Sequence, residues 1–256
     1  MVSVDLHIGT SGWSYKHWLG IFYPEKLKAA AYLEFYTTKF SCVELNSSFY
    51  HLPLKKTVEG WIDRTPDTFK FCLKLSRFIT HQMQLFNVDE ALQKFFEVFE
   101  GMKEKLGPVL VQLPPQLSYD EPRIRYFVEL LQSEYDQYRF AIEIRNRSWI
   151  NDRLFDLLSQ SGVAFVIADS GNRYPYYEVI TTDFVYLRLH GWEQLYASDY
   201  TEKDLQQYAE KISGWLNDGK KVWVFFNNDF HGYAVKNAER LRTILNDTKW
   251  SYHGEH

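Results

Sequence analysis

RFAIEIRNRSWI, residues 139–150, reads as a strand that cannot lie between two apolar layers. Side chains alternate across a strand, so Phe140, Ile142 and Ile144 share one face while Ala141, Glu143 and Arg145 share the other. Burying a carboxylate or a guanidinium without a partner is costly. The second face therefore asks for an interior that supplies counter-charges or a ligand.

Counting RFAIEIR (139–145), eight short β-branched or aromatic runs recur along the chain. The others are LHIGTS (6–11), CVELN (42–46), FKFCLKLS (69–76), PVLVQLP (108–114), VAFVIAD (163–169), FVYLRLH (184–190) and KVWVFFNN (221–228). Helical segments fall between them, and strands alternating with helices imply a parallel sheet with helical crossovers. Residues 88–107 show helical apolar spacing and stop at a glycine, as do residues 201–219, which open on a capping-box-like Thr201 and Asp204. Residues 234–247 close the series. Residues 171–183 contain Pro175 and little helical period, so the crossover between strands six and seven is expected to be truncated. The expected fold is one α/β domain over residues 1–256, a (β/α)8 TIM-like barrel. A doubly wound sheet is the rival, but GTSGWSY after the first strand does not fit a glycine-rich phosphate turn.

Read with period two, one parity gives Val43, Leu45, Phe71, Leu73, Val109, Val111, Ile142, Val185, Leu187, Val222 and Val224, a face for helices. The other gives Ser11, Glu44 and Asn46, Lys74 and Ser76, Gln112, Glu143 and Arg145, Phe165, Ile167 and Asp169, Tyr186, Arg188 and His190, and Asn227. That face turns polar at the carboxyl end of nearly every strand, where barrel active sites are built. Its competing explanation is a satisfied ion network of Glu44 and Glu143 with Lys74, Arg145 and Arg188.

Hydrophobic residues make up 45% of the chain and charged residues 24%, ordinary globular values, whereas aromatics at 18% are high and ask for a use beyond packing. The net charge of −4 excludes a global basic field that would steer the protein onto nucleic acid. Cys42 and Cys72 both fall inside strands, which argues for reduced thiols and a cytoplasmic protein. Nowhere do about 18 apolar residues run together, so no membrane partner is expected.

GTSGWSYKHWLGIFYP, FSCVELNSSFYHLP, LGPVLVQLPP, AIEIRNRSW, VYLRLHG and FFNNDFHGYAVKNAERL, in this order along essentially the whole chain, resemble the YecE-like family, domain of unknown function 72. The resemblance implies a TIM-type barrel. It supplies no reaction, because the family's activity is not established. Metal-dependent barrels of the endonuclease IV and xylose isomerase type are related by fold-level analogy.

The expected partner is a small phosphate- or carboxylate-bearing ligand or a nucleic-acid fragment, with hydrolysis of a phosphate ester or glycosidic bond as the first reaction class. Glu143, Glu44 and His190 are candidate catalytic groups. Arg145, Arg188 and Lys74 are candidate anion ligands, with Asn46, Gln112, Asp169 and Asn227 as polar contacts. Trp13, Tyr50 and Trp149 could stack on sugars or bases, as could Tyr15, Trp18, Phe49, Trp192 and Tyr196. An anion is expected near Arg188 and Arg145, reaching toward NNDFHGYA (227–234), where Gly232 lets backbone N–H groups approach. The cofactor is left open; a divalent metal is not favoured, because the same cations crowd the donors Glu44, Glu143, Asp169 and His190. The alternatives are a nucleotide or single-stranded nucleic-acid binding protein without catalysis, or a metal-dependent endonuclease IV/xylose isomerase-like enzyme.

Overall fold

Each of the eight runs forms a strand in the computed structural model, which describes residues 5–191 and 198–251, with side chains to residue 247. They are β1 (Leu6–Thr10), β2 (Cys42–Leu45), β3 (Lys70–Leu73), β4 (Val109–Gln112), β5 (Phe140–Glu143), β6 (Ala164–Asp169), β7 (Phe184–Leu189) and β8 (Lys221–Phe226). Six of them make a curled parallel sheet in the order β1-β8-β7-β6-β5-β4, and β2 pairs with β3. A single bridge, Ser11 to Glu44, joins β2 to the chain after β1, and another, Lys74 to Leu110, joins the chain after β3 to β4. Gly9 permits the first approach, because a Cβ there would stand 2.3 Å from the carbonyl oxygen of Cys42.

The helices are α1 (Tyr32–Thr37), α2 (Ser47–Tyr50), α3 (Lys55–Asp63), α4 (Asp89–Phe99), α5 (Glu121–Glu134), α6 (Asp152–Gln160), α7 (Glu202–Asn217) and α8 (Tyr233–Ser251). The capping box at Thr201 and Asp204 is formed, with the Thr201 hydroxyl accepting from the Asp204 N–H at 3.2 Å. The helix expected over 88–107 ends at Phe99 and continues as a tighter turn, Glu100–Lys105, that contains Gly101. No helix lies between β6 and β7, as the proline in that crossover implies. No described helix is long and apolar enough to cross a membrane.

The helix-facing parity packs as expected: Val43, Leu45, Phe71, Val111, Ile142, Leu187 and Val224 join Phe95, Phe99, Phe127 and Leu158 from the helices in one buried cluster. The opposite parity builds a second cluster that includes Cys42, Cys72, Leu110, Ala141, Tyr186, Trp223 and Phe225. Strand β6 corrects the expected register. Val166 pairs with Tyr186 and Ala168 with Arg188, so Ala164, Val166 and Ala168 face inward while Phe165, Ile167 and Asp169 face the helices. Opposite Tyr186, Trp223 and Phe225 the interior has room only for small side chains, and the large Phe165 and Ile167 go to the roomier outer layer.

Candidate functional site

At the carboxyl ends of the strands, Arg188 of β7 is wholly buried between two carboxylates. Its Nε donates to Glu44 Oε2 at 2.9 Å and its Nη2 to Glu44 Oε1 at 2.6 Å, a bidentate fork. Its Nη1 donates to Glu143 Oε2. Glu44 also accepts from the Ser11 hydroxyl at 2.6 Å and the Tyr186 hydroxyl at 2.8 Å, so both of its oxygens carry two donors. The other oxygen of Glu143 accepts from Arg145 Nε at 2.8 Å. Burial pushes the Glu143 carboxyl up, but the Arg188 and Arg145 guanidiniums beside it outweigh burial and hold it below the usual carboxylate range.

Lys74 lies one residue past β3, and its Nζ donates to Gln112 Oε1 at 2.9 Å and sits 4.2 Å from the Phe49 ring centroid. Burial, and then the charge of Arg188, push this ammonium from 10.5 down to about 7. His190 is buried, with Nδ1 3.0 Å from Asn227 Nδ2 and Nε2 3.9 Å from Glu143 Oε2. Burial and the adjoining Arg188 hold the imidazole well below its ordinary value, hence neutral. Arg145 stacks 4.3 Å from the Tyr174 ring, and His81 packs edge-on against Phe49.

Glu44, Glu143, Arg145, Arg188, His190 and Asn227 are thus linked by contact, and Lys74 with Gln112 stands beside them, because Gln112 pairs with Glu143 across β4 and β5. Asp169 is not among them. Its β6 position faces α7, where Oδ2 accepts from the Tyr208 hydroxyl at 2.6 Å and the Tyr200 hydroxyl at 3.1 Å. Trp149 is fully buried with Nε1 donating to the Leu117 carbonyl at 2.7 Å, which makes it a packing residue and not a stacking surface. Trp13 packs edge-on against Trp61 and Phe71. Asn46 has a buried Oδ1 with no hydrogen-bond partner and lines a cleft of about 560 Å³ with Trp13 and Trp61. Tyr50 is exposed and lines a larger cleft, about 860 Å³, with Ser48, Phe49, Ser76 and Phe78. Trp192 and Tyr196 lie outside the described residues. In the loop after β8, the Asp229 carbonyl accepts from Trp18 Nε1 at 3.2 Å, which ties that loop to the first one. Among the described residues no three His, Cys, Asp or Glu side chains converge to hold an ion.

Ser11 and Tyr186 complete the cluster from the inward parity. Tyr174 and His81 come from segments without strand periodicity and carry no signal in the pattern.

Over residues 7–254 the chain matches the family described as Protein of unknown function DUF72. The chain belongs to the DUF72 family. Among curated relatives, it is similar to UPF0759 protein YunF of Bacillus subtilis, 24% identical over 94% of this chain and 94% of that protein. It is also similar to UPF0759 protein YecE of Escherichia coli, 29% identical over 64% of this chain and 59% of that protein. A DUF72 family crystal structure from Thermotoga maritima superposes with a TM-score of 0.84 at 28% identity, covering 94% of this chain and 99% of that one. A xylose isomerase domain containing protein from Salmonella typhimurium, at 12% identity and a TM-score of 0.50 over 96% of this chain and 97% of that one, shares the fold alone.

Proposed function

We infer that the chain is an enzyme that binds a small acid, bearing a phosphate or carboxylate group, at the carboxyl ends of the strands of a single closed (β/α)8 barrel. Bridges on both sides of the β2–β3 pair support closure. The observation that carries the anion site is the gathering of three basic side chains at one end of the sheet. Lys74 and Arg188, both buried, and the largely enclosed Arg145 gather round Glu44 and Glu143, and among the described residues Arg188 alone engages both carboxylates. An arriving anion stabilises the protonated form of Lys74, and Lys74 and Arg145 are the groups that recognise it. Arg188, with donors committed to Glu44 and Glu143, positions the cluster. The glutamates are held by guanidiniums and give little support to a carboxylate-base hydrolase or a glycosidase pair. The buried free thiols Cys42 and Cys72 support a cytoplasmic setting.

Calorimetric titration of inorganic phosphate, sulfate and a mononucleotide into wild type and Lys74→Met tests this reading. One saturable site in the wild type, weakened at least tenfold in the variant, is expected. No binding to the wild type would reduce the cluster to an internal ion network. Binding of oligonucleotides with a steep salt dependence would instead favour a non-catalytic nucleic-acid binding protein.

A further inference from the structure

We propose that Lys74 is an amine nucleophile that forms an imine with a small 2-oxo acid whose carboxylate is held by Arg145, an inference that rests on the anion site above. The two arginines hold both glutamates of the cluster, and among the described residues no carboxylate is in ion-pair contact with Lys74 Nζ. The partners of Nζ are the neutral amide oxygen of Gln112 and the face of Phe49. Lysine used only to balance charge would be expected against a carboxylate. Here burial beside Arg188 brings the ammonium down to about 7, so the neutral amine, the form that attacks a carbonyl, is accessible near neutral pH.

The main chain of Lys74 is fixed on both sides. The Lys74 N–H donates to the Leu45 carbonyl at 3.1 Å, and the Lys74 carbonyl accepts from the Ser48 hydroxyl at 2.7 Å. Ser48, Phe49 and Ser76 also line the 860 Å³ cleft, so the wall that touches Lys74 borders open space of substrate size. Arg145 pairs with Glu143, which lies opposite Gln112 across β4 and β5, and Gln112 accepts from Lys74, so the two basic side chains flank one stretch of the sheet. In the step, the nitrogen lone pair forms the C–N bond, the C–O bond breaks, and the carbonyl oxygen leaves as water with the two amine protons. Addition of water reverses it. An imine withdraws electrons from the neighbouring carbon, so the reaction class becomes C–H or C–C bond making and breaking beside a carbonyl.

The test incubates the full chain with pyruvate, 2-oxobutyrate or 2-oxoglutarate and sodium cyanoborohydride, followed by intact-mass measurement and peptide mapping. One reduced adduct on Lys74 is expected, absent in Lys74→Met and Lys74→Arg, with both variants shown folded by their melting transitions. Lactate, which has the acid group and no carbonyl, is titrated in parallel by calorimetry. Lactate or phosphate binding without a Lys74 adduct from any of the three 2-oxo acids overturns the imine and leaves the anion site standing. Loss of both overturns both. Adducts scattered over surface lysines and unchanged in Lys74→Met also overturn it.

Discussion

Arg188 grips Glu44 through two nitrogens, Nε to Oε2 at 2.9 Å and Nη2 to Oε1 at 2.6 Å, with neither residue exposed to solvent. Removing the guanidinium leaves two buried carboxylates facing each other. Arg188→Ala is therefore expected to lose about 3–5 kcal/mol of stability, read from chemical denaturation at neutral pH. A loss below about 1 kcal/mol, within the range of an exposed pair, would show that water reaches the cluster freely.

The acid limb of stability is set in part by Glu143. Its folded-state carboxyl lies below the usual 4.5, because Arg188 and Arg145 overcome burial. A depressed carboxylate contributes stability that is full above the unfolded value and is lost as pH falls toward the folded one. Wild-type stability should decline as pH drops below about 4.5, whereas Glu143→Gln, less stable at pH 7, should show a flatter decline. Parallel slopes for the two proteins in urea titrations across that range would contradict the assignment.

Lys74 works in the opposite direction. With its folded value near 7 against 10.5 unfolded, the unfolded chain binds more protons between those values, so stability rises with pH across the window. The gain has an upper bound of about 5 kcal/mol at 1.36 kcal/mol per unit. Lys74→Met should remove this alkaline gain and be at least as stable as wild type at pH 6. The check is thermal denaturation of both proteins from pH 6 to 10.

Trp149 separates packing from recognition. Trp149→Ala should cost about 3–5 kcal/mol as a buried aromatic, while Trp149→Phe should leave phosphate affinity unchanged within error. An affinity loss in Trp149→Phe with an intact melting transition would return the indole to the site.

Strand positions were legible because each run is β-branched or aromatic, and the two faces were legible wherever one is apolar and the other polar. In RFAIEIR, Glu143 marks the interior by itself. In VAFVIAD both faces are apolar, and the one usable sign was size: Ala164, Val166 and Ala168 fit a crowded interior that Phe165 and Ile167 do not. The same error carried Asp169 to the wrong side. Which cation takes which carboxylate was not legible, since Arg188 and Glu44 are 144 residues apart and their pairing depends on how β2 and β7 face each other. Trp149 followed a polar run and looked like a rim residue, but Asn146 caps the turn Arg147–Trp149, whose indole packs inward against Tyr119.

The crossover without a helix, residues 170–183, is a place for change. It carries Tyr174, whose ring lies against Arg145, yet Tyr176, Tyr177 and Ile180 on the same stretch remain exposed. Val179 and Thr181 anchor this stretch to the body of the protein, and it touches the arginine proposed to hold the ligand, so exchanging its exposed residues should alter ligand preference while the strands stay as they are. For protein engineering, it is the natural graft point for a library.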